Sequence, residues 1–305
     1  MRRGLKRAAE LLLPLALVAA GLGLLAPSDT LADRSDLVLA ALVLSTALAI
    51  APSQLVALRE RKTALAALVF VPFCALGPLS WLVGRPFDDT VGDGVLALGV
   101  SSTEVAAVGL VALAGGSAVL ALGALTGSLV LSALAGPPTL ALLAGAGADV
   151  DVGELIARFA LVVLLPLLVG LAIRALVPRL AGVEDELGGL AAIIVVVLVY
   201  AAMSGSDEDA ELLSAALASL LFLLVSALPV LAWIALAEHD LRLTGAFVIE
   251  LRDFAVAAAL ATQAFDSSAA SVAGVYGVLM LLLGAAATQL APSAQRRRSR
   301  PAQSG

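Results

Sequence analysis

The apolar residues of this chain fall into ten successive blocks, at about 8–26, 37–52, 63–84, 94–113, 118–146, 155–176, 188–203, 211–237, 245–265 and 271–291, separated by short polar hinges. A helix crosses a hydrocarbon layer about 30 Å thick with about 20 apolar residues, so this pattern predicts an all-α integral membrane protein with ten transmembrane helices. Of 305 residues, 61% are hydrophobic and only 14% charged, which leaves no segment for a folded soluble domain and excludes a soluble enzyme. One cysteine, Cys74, and one histidine, His239, exclude a disulfide framework and a cysteine-rich metal centre. No cofactor and no catalysed reaction are expected.

With ten crossings both termini lie on one side of the membrane. That side collects Arg2, Arg3, Lys6, Arg7, Arg59, Arg61, Lys62, Arg174, Arg179, Arg242 and Arg296 to Arg298 with Arg300, fourteen of the eighteen basic residues. The other side has Arg34, Arg85 and Arg158 against fourteen acids, among them Asp88, Asp89 and Asp207 to Asp209. Cytoplasmic hinges retain Lys and Arg, so both termini are predicted to be cytoplasmic. The basic tail, 292–305, follows from the same rule and needs no nucleic acid to explain it. Sixteen Arg against two Lys, amid abundant Ala, Leu and Gly, is the usage of a GC-rich bacterial genome and points to a bacterial inner membrane. The chain reads as one membrane domain, 1–305, in contact with the lipid bilayer.

Five spans followed by five entering from the opposite side is the arrangement of an inverted repeat, as in many secondary transporters. Repeat one covers about 8–146 and repeat two about 155–291, so the fourth and ninth spans correspond. Both contain what a lipid-facing helix avoids: Ser101-Ser102-Thr103-Glu104 in the fourth, Glu250-Leu251-Arg252-Asp253 in the ninth. Glu104 lies ten residues beyond Gly94, about 15 Å along a helix, near the middle of the hydrocarbon. Ser101-x-x-Glu104 has the spacing of a capping box, and Asp253 precedes the helix-forming run 255–261 as an N-cap candidate. A cap has no place inside a continuous helix, so each quartet is predicted to end one half-helix and begin another. Three acids and one arginine leave a formal excess of two negative charges, which suits uptake of a cation or a proton. A purely structural pairing of Arg252 with Glu104 or Asp253, locking the repeats together, is the other reading of the same residues.

Beyond these charges, several stretches in order resemble the bile acid:sodium symporter superfamily. Pro52-Ser53-Gln54-Leu55 with basic Arg59 to Lys62 is similar to its turn and hinge after the second helix. Gly94 to Gly99, the polar quartet, Leu113 to Ser117 and Ser128 to Pro137 are similar, without gaps, to its fourth and fifth helices, and Glu250 to Ala261 to its ninth. The resemblance implies ten helices with the fourth and ninth broken and crossing, and sodium-coupled transport of small organic anions. It also implies a sodium role for Thr126 and Ser128, with a possible ion near Glu104, Ser128 and Asp253. The chain departs from the family's ligand pattern: Val248 stands at the sodium-binding Glu, Glu250 at a Gly, Arg252 at a Gln and Asp253 at an Asn, while Ala107 and Val108 replace Ser-Asn.

The expected function is therefore secondary active transport of small organic anions by alternating access, coupled to sodium or to a proton. Its candidate binding residues are Ser101, Ser102, Thr103, Glu104, Thr126, Ser128, Glu250, Arg252 and Asp253. Two alternatives remain. An arsenite-type efflux carrier of the same superfamily would be expected to place a thiol in the fourth helix, which this chain lacks. A membrane sensor or scaffold that kept the fold without transport would tend to replace intramembrane charges by apolar side chains.

Overall fold

The computed structural model describes residues 11–32, 34–145, 150–204 and 209–290. The basic start, Met1 to Arg7, the acids Asp33, Asp149, Asp207 and Glu208, and the tail 292–305 lie outside the described residues. The main elements are helices α1 (Leu12–Leu25), α2 (Ser35–Ala49), α3 (Lys62–Gly84), α4 (Asp89–Val100), α5 (Val105–Ala114) and α6 (Ala118–Ala144). They continue as α7 (Val152–Leu176), α8 (Glu184–Met203), α9 (Asp209–Leu236), α10 (His239–Glu250), α11 (Phe254–Ala264) and α12 (Ala270–Leu290). Among the described residues five helices are long and apolar enough to cross a membrane, and five more are apolar but shorter.

Helix interiors here tolerate proline because lipid gives the backbone no better partner than its own helix. Pro72 and Pro78 lie inside α3, Pro137 and Pro138 inside α6, and Pro229 inside α9. In α7 the turn at Ala160–Leu164 widens into a π-helix just before Pro166. Pro166 has no N–H and its ring would strike the carbonyl four residues earlier, so the extra residue in the turn gives it room. Helix α10 starts at His239, six residues before the apolar block at 245–265, because its first turns carry the polar residues His239, Asp240 and Arg242 at the helix end.

Packing divides the helices into two groups. Helices α1, α2, α7 and α8 pack most extensively on one another, and α3 to α6 with α9 to α12 form the second group. The seam between them is bridged where α7 meets α6, α8 and α1 meet α12, and α2 meets α11. Large apolar side chains such as Phe70, Leu168 and Leu224 are exposed on the outside of the bundle, an apolar surface that water would not stabilise and lipid does.

Polar contacts tie hinges at the two ends. Arg61 donates to Asp240 at 2.5 Å, joining the hinge before α3 to the start of α10, and Arg174 pairs with Glu184 across the turn between α7 and α8. At the opposite end Arg158 of α7 donates to Asp36 of α2 at 2.8 Å. Each pair joins residues that the sequence places on the same side of the membrane.

Candidate functional site: the paired helix breaks

The fourth and ninth apolar blocks are interrupted at the quartets the sequence marks. Helix α4 ends at Val100, and Ser101 turns into extended backbone at φ −68°, ψ 170°. Helix α10 ends at Glu250, and Leu251 is likewise extended at φ −90°, ψ 106°. The two breaks lie side by side and pair as a short antiparallel bridge between Thr103 and Arg252. The Glu104 N–H donates to the Leu251 carbonyl at 2.9 Å, and the Asp253 N–H donates to the Ser102 carbonyl at 2.8 Å.

Irregular backbone at this depth is stable only if every polar group finds a partner inside the protein. The bridge satisfies its inner edges, and hydroxyls close its outer ones. On one side the Thr103 N–H donates to Ser128 Oγ at 3.0 Å, and Ser132 Oγ donates to the Val100 carbonyl at 2.8 Å. On the other, Tyr276 Oη accepts from the Arg252 N–H and donates to the Glu250 carbonyl, both at 3.0 Å. Thr103 Oγ1 reaches the Val248 carbonyl at 3.2 Å.

The half-helices that leave the breaks are capped by the acids themselves. Asp253 Oδ1 accepts from the Ala255 and Val256 N–H groups, each at 3.0 Å, as an N-cap should. At the first break the capping-box expectation is corrected. Ser101 is the C-cap of α4 and its hydroxyl donates back to the Leu98 carbonyl at 2.8 Å, while Glu104 caps α5, its Oε1 accepting from the Ala106 N–H at 3.4 Å. Three residues of extended chain are needed to make the bridge, and they displace the cap from Ser101 to Glu104. Each acid thus sits at the positive end of a half-helix dipole. At its far end α5 stops at Gly115, whose φ of +86° closes the turn in a conformation that side chains resist.

Successive residues of extended chain face opposite ways, and directly opposed residues share a face. Ser102, Glu104 and Asp253 therefore share one face of the bridge, with Ser102 Oγ 3.3 Å from Asp253 Oδ2. Thr103 and Arg252 project to the other. Burial is nearly complete: Glu104 and Asp253 are each 2% exposed and Arg252 1%. Arg252 forms no ion pair within 4 Å among the described residues, and its Nε and Nη1 have no hydrogen-bond partner. Glu104 Oε2 also has none. The locking pair of Arg252 with Glu104 or Asp253 is thus not formed; backbone bonds join the two breaks, and strand alternation turns Arg252 away from the two acids.

The remaining candidates lie around this centre. Glu250 points at α9, its Oε1 accepting from Ser226 Oγ at 3.0 Å while Oε2 is buried and unpartnered. Thr126 bonds back along its own helix to the Leu122 carbonyl at 2.9 Å, and Ser128 also donates to the Leu125 carbonyl at 3.0 Å. The described residues hold no cluster of three His, Cys, Asp or Glu side chains suited to a metal. Sequence reasoning missed Tyr276, Ser132 and Ser226. Tyr276 carried a faint signal, since a tyrosine in the middle of an apolar span must find partners for its hydroxyl.

Breaks in the fourth and ninth apolar blocks that meet one another are what the sequence resemblance implied. The sequence profile of the SBF-like CPA transporter family matches residues 25–283. The chain belongs to this family. Membership of the SBF-like CPA transporter family, of bile acid:sodium symporter type, together with the apolar helices makes the protein a multi-pass membrane transporter. It argues for a carrier rather than an enzyme. Comparison with curated proteins finds no match.

Proposed function

We propose that this SBF-like transporter is a secondary active carrier of small organic anions, driven by a cation and working by alternating access in a bacterial inner membrane. One observation carries the reading: a crossing of two helix breaks that buries two carboxylates on one face and an arginine without an ion pair on the other. A buried guanidinium left without partners costs several kcal/mol, and a fold keeps it where a visiting anion completes its hydrogen bonds. A non-transporting scaffold would gain nothing from it.

For the driving ion, a proton on the Glu104 and Asp253 face fits better than the family's pair of sodium ions. Glu104 and Asp253 put two acids on one buried face, and a cation as small as a proton is the one that face has room to take. Sodium needs several converging oxygens, yet Val248 offers only its carbonyl, which the Thr103 hydroxyl already occupies, and Ser128 is engaged by the Thr103 N–H. A reshaped sodium site near Glu104, Ser128 and Asp253 is the competing version.

The rest of the reading is ten crossings in two inverted five-helix repeats, about 8–146 and 155–291, with both termini and a basic tail in the cytoplasm. Mirrored breaks support it, each an extended turn ending in an acidic N-cap, as do the hinge contacts that join residues of like side. The two packing groups would rock against one another.

Counterflow in proteoliposomes against a panel of small organic anions tests the proposal, with pH and sodium gradients varied independently. Uptake should follow the pH gradient, Glu104→Gln should lose that coupling, and Arg252→Gln should lose anion exchange. Sodium-driven uptake with two-ion cooperativity, unaffected by Glu104→Gln, would defeat the proton assignment. Absence of counterflow for every anion would defeat the transport reading itself.

A further inference from the structure

A cavity of about 200 Å³ lies in the seam between the two helix groups, at the end opposite the Arg61 and Asp240 pair. Leu198 and Ala202 of α8 wall it on one side and Ala255, Ala258 and Ala259 of α11 on the other. Those three alanines share one face of α11, at positions i, i+3 and i+4 of a helix that starts just after Asp253. Asp36 and Arg158 stand in its mouth.

A bond crosses the seam at Asp36, beside the mouth. Gln263 of α11 donates through Nε2 to Asp36 Oδ1 at 2.7 Å. The other oxygen, Oδ2, accepts from Arg158 Nε at 2.8 Å and lies 2.7 Å from Nη2. Asp36 and Arg158 both belong to the group of α1, α2, α7 and α8. Arg158 therefore fixes the carboxylate within its own group and leaves one oxygen to reach across to Gln263. Gln263 Oε1 is buried without a partner, so the amide is only half satisfied when the seam is shut, and its oxygen has a donor to gain when the seam opens.

We propose that this cavity is the vestibule of the translocation path on the Asp36 side, and that the Asp36 and Gln263 bond is the latch that closes it. Parting the two helix groups at this end breaks that bond, whereas the Asp36 and Arg158 pair travels intact. With the groups together the cavity, at about 200 Å³, is below the roughly 300 Å³ at which pockets begin to hold drug-sized ligands. The latch rests on the alternating-access reading, but its test needs no substrate.

In full-length Cys74→Ser protein, a cysteine introduced by Ala259→Cys lies in the cavity wall. Its rate of reaction with a membrane-impermeant methanethiosulfonate reports how often the mouth opens, in detergent and without any ligand. Gln263→Leu removes the donor and should raise that rate roughly tenfold, the population shift expected on losing a hydrogen bond to a charged group. Gln263→Glu sets a second carboxylate against Asp36 and should raise it at least as much. Gln263→Asn, a shorter amide, serves where either variant fails to purify as a single species. Rates within about twofold of the parent in the variants that purify would overturn the latch even if counterflow succeeds. A faster rate with no counterflow would uphold the latch and count against the proposed function alone.

Discussion

Removing one oxygen atom, by Tyr276→Phe, tests whether hydroxyls at the outer edges hold the helix breaks in place. The ring is fully buried and meets Phe222 edge-on with centroids 5.8 Å apart, a contact that phenylalanine keeps. What is lost is one acceptor for the Arg252 N–H and one donor to the Glu250 carbonyl, at a fully buried position. Hydrogen bonds between membrane helices contribute on average about 0.6 kcal/mol and at most about 1.7 kcal/mol each, because the unfolded chain in a micelle also finds partners. Two of them give a destabilisation of about 1–3 kcal/mol. The assay is reversible unfolding of the full chain in mixed micelles, with hydrogen exchange at the Arg252 amide as the local readout. Exchange at that amide should accelerate, and Tyr276→Leu should cost more because it also loses the ring contact. A loss below about 0.5 kcal/mol with unchanged Arg252 exchange would refute the account of how irregular backbone survives at this depth.

The same unfolding assay checks three further expectations. A Cβ on Gly99 would lie 2.6 Å from the Leu76 carbonyl and 2.0 Å from Ser80 Oγ, so Gly99→Ala should force α4 away from α3 and cost about 1–3 kcal/mol; an unchanged stability would contradict that close approach. Ser132→Ala leaves the Val100 carbonyl without its 2.8 Å partner and should cost about 1 kcal/mol, whereas a neutral result would mean that carbonyl is satisfied elsewhere. Hydrogen bonds from the Ser268 N–H and the Ser267 hydroxyl, in the turn before α12, hold the Asp266 carboxyl below the usual carboxylate range. A depressed folded value stabilises above the unfolded value of about 3.9 and is lost as pH falls through the folded one. Asp266→Asn should therefore be slightly less stable than the parent at pH 6, with the gap closing in acid; a gap unchanged at pH 3 would contradict the assignment.

Much of the site could be read from residue type and depth. Glu104, Arg252 and Asp253 stood out because charge in the middle of apolar blocks demands partners, and Asp253 was legible as an N-cap because the helix-forming run after it is local. The capping box at Ser101 and Glu104 misled for an equally physical reason. Its spacing is a statement about one chain, whereas the cap position was decided by a second chain segment, Leu251 to Asp253, that draws Ser102 to Glu104 into a bridge. Tyr276 and Gln263 were less visible still, since a single polar group in or near an apolar span does not announce which distant atom it meets.

By itself the sequence determined that the chain is apolar along nearly its whole length, helical, and interrupted by charge at two places, because hydrophobic length and intramembrane charge act locally and without regard to neighbours. Which way the charges face belonged to the tertiary structure. Antiparallel pairing of the two breaks sets Glu104 and Asp253 on one side and Arg252 on the other, and packing of α11 against α2 brings Gln263 to Asp36 from 227 positions away. Contacts of that kind depend on the path of the intervening chain, so no reading of the residues around either partner could have supplied them.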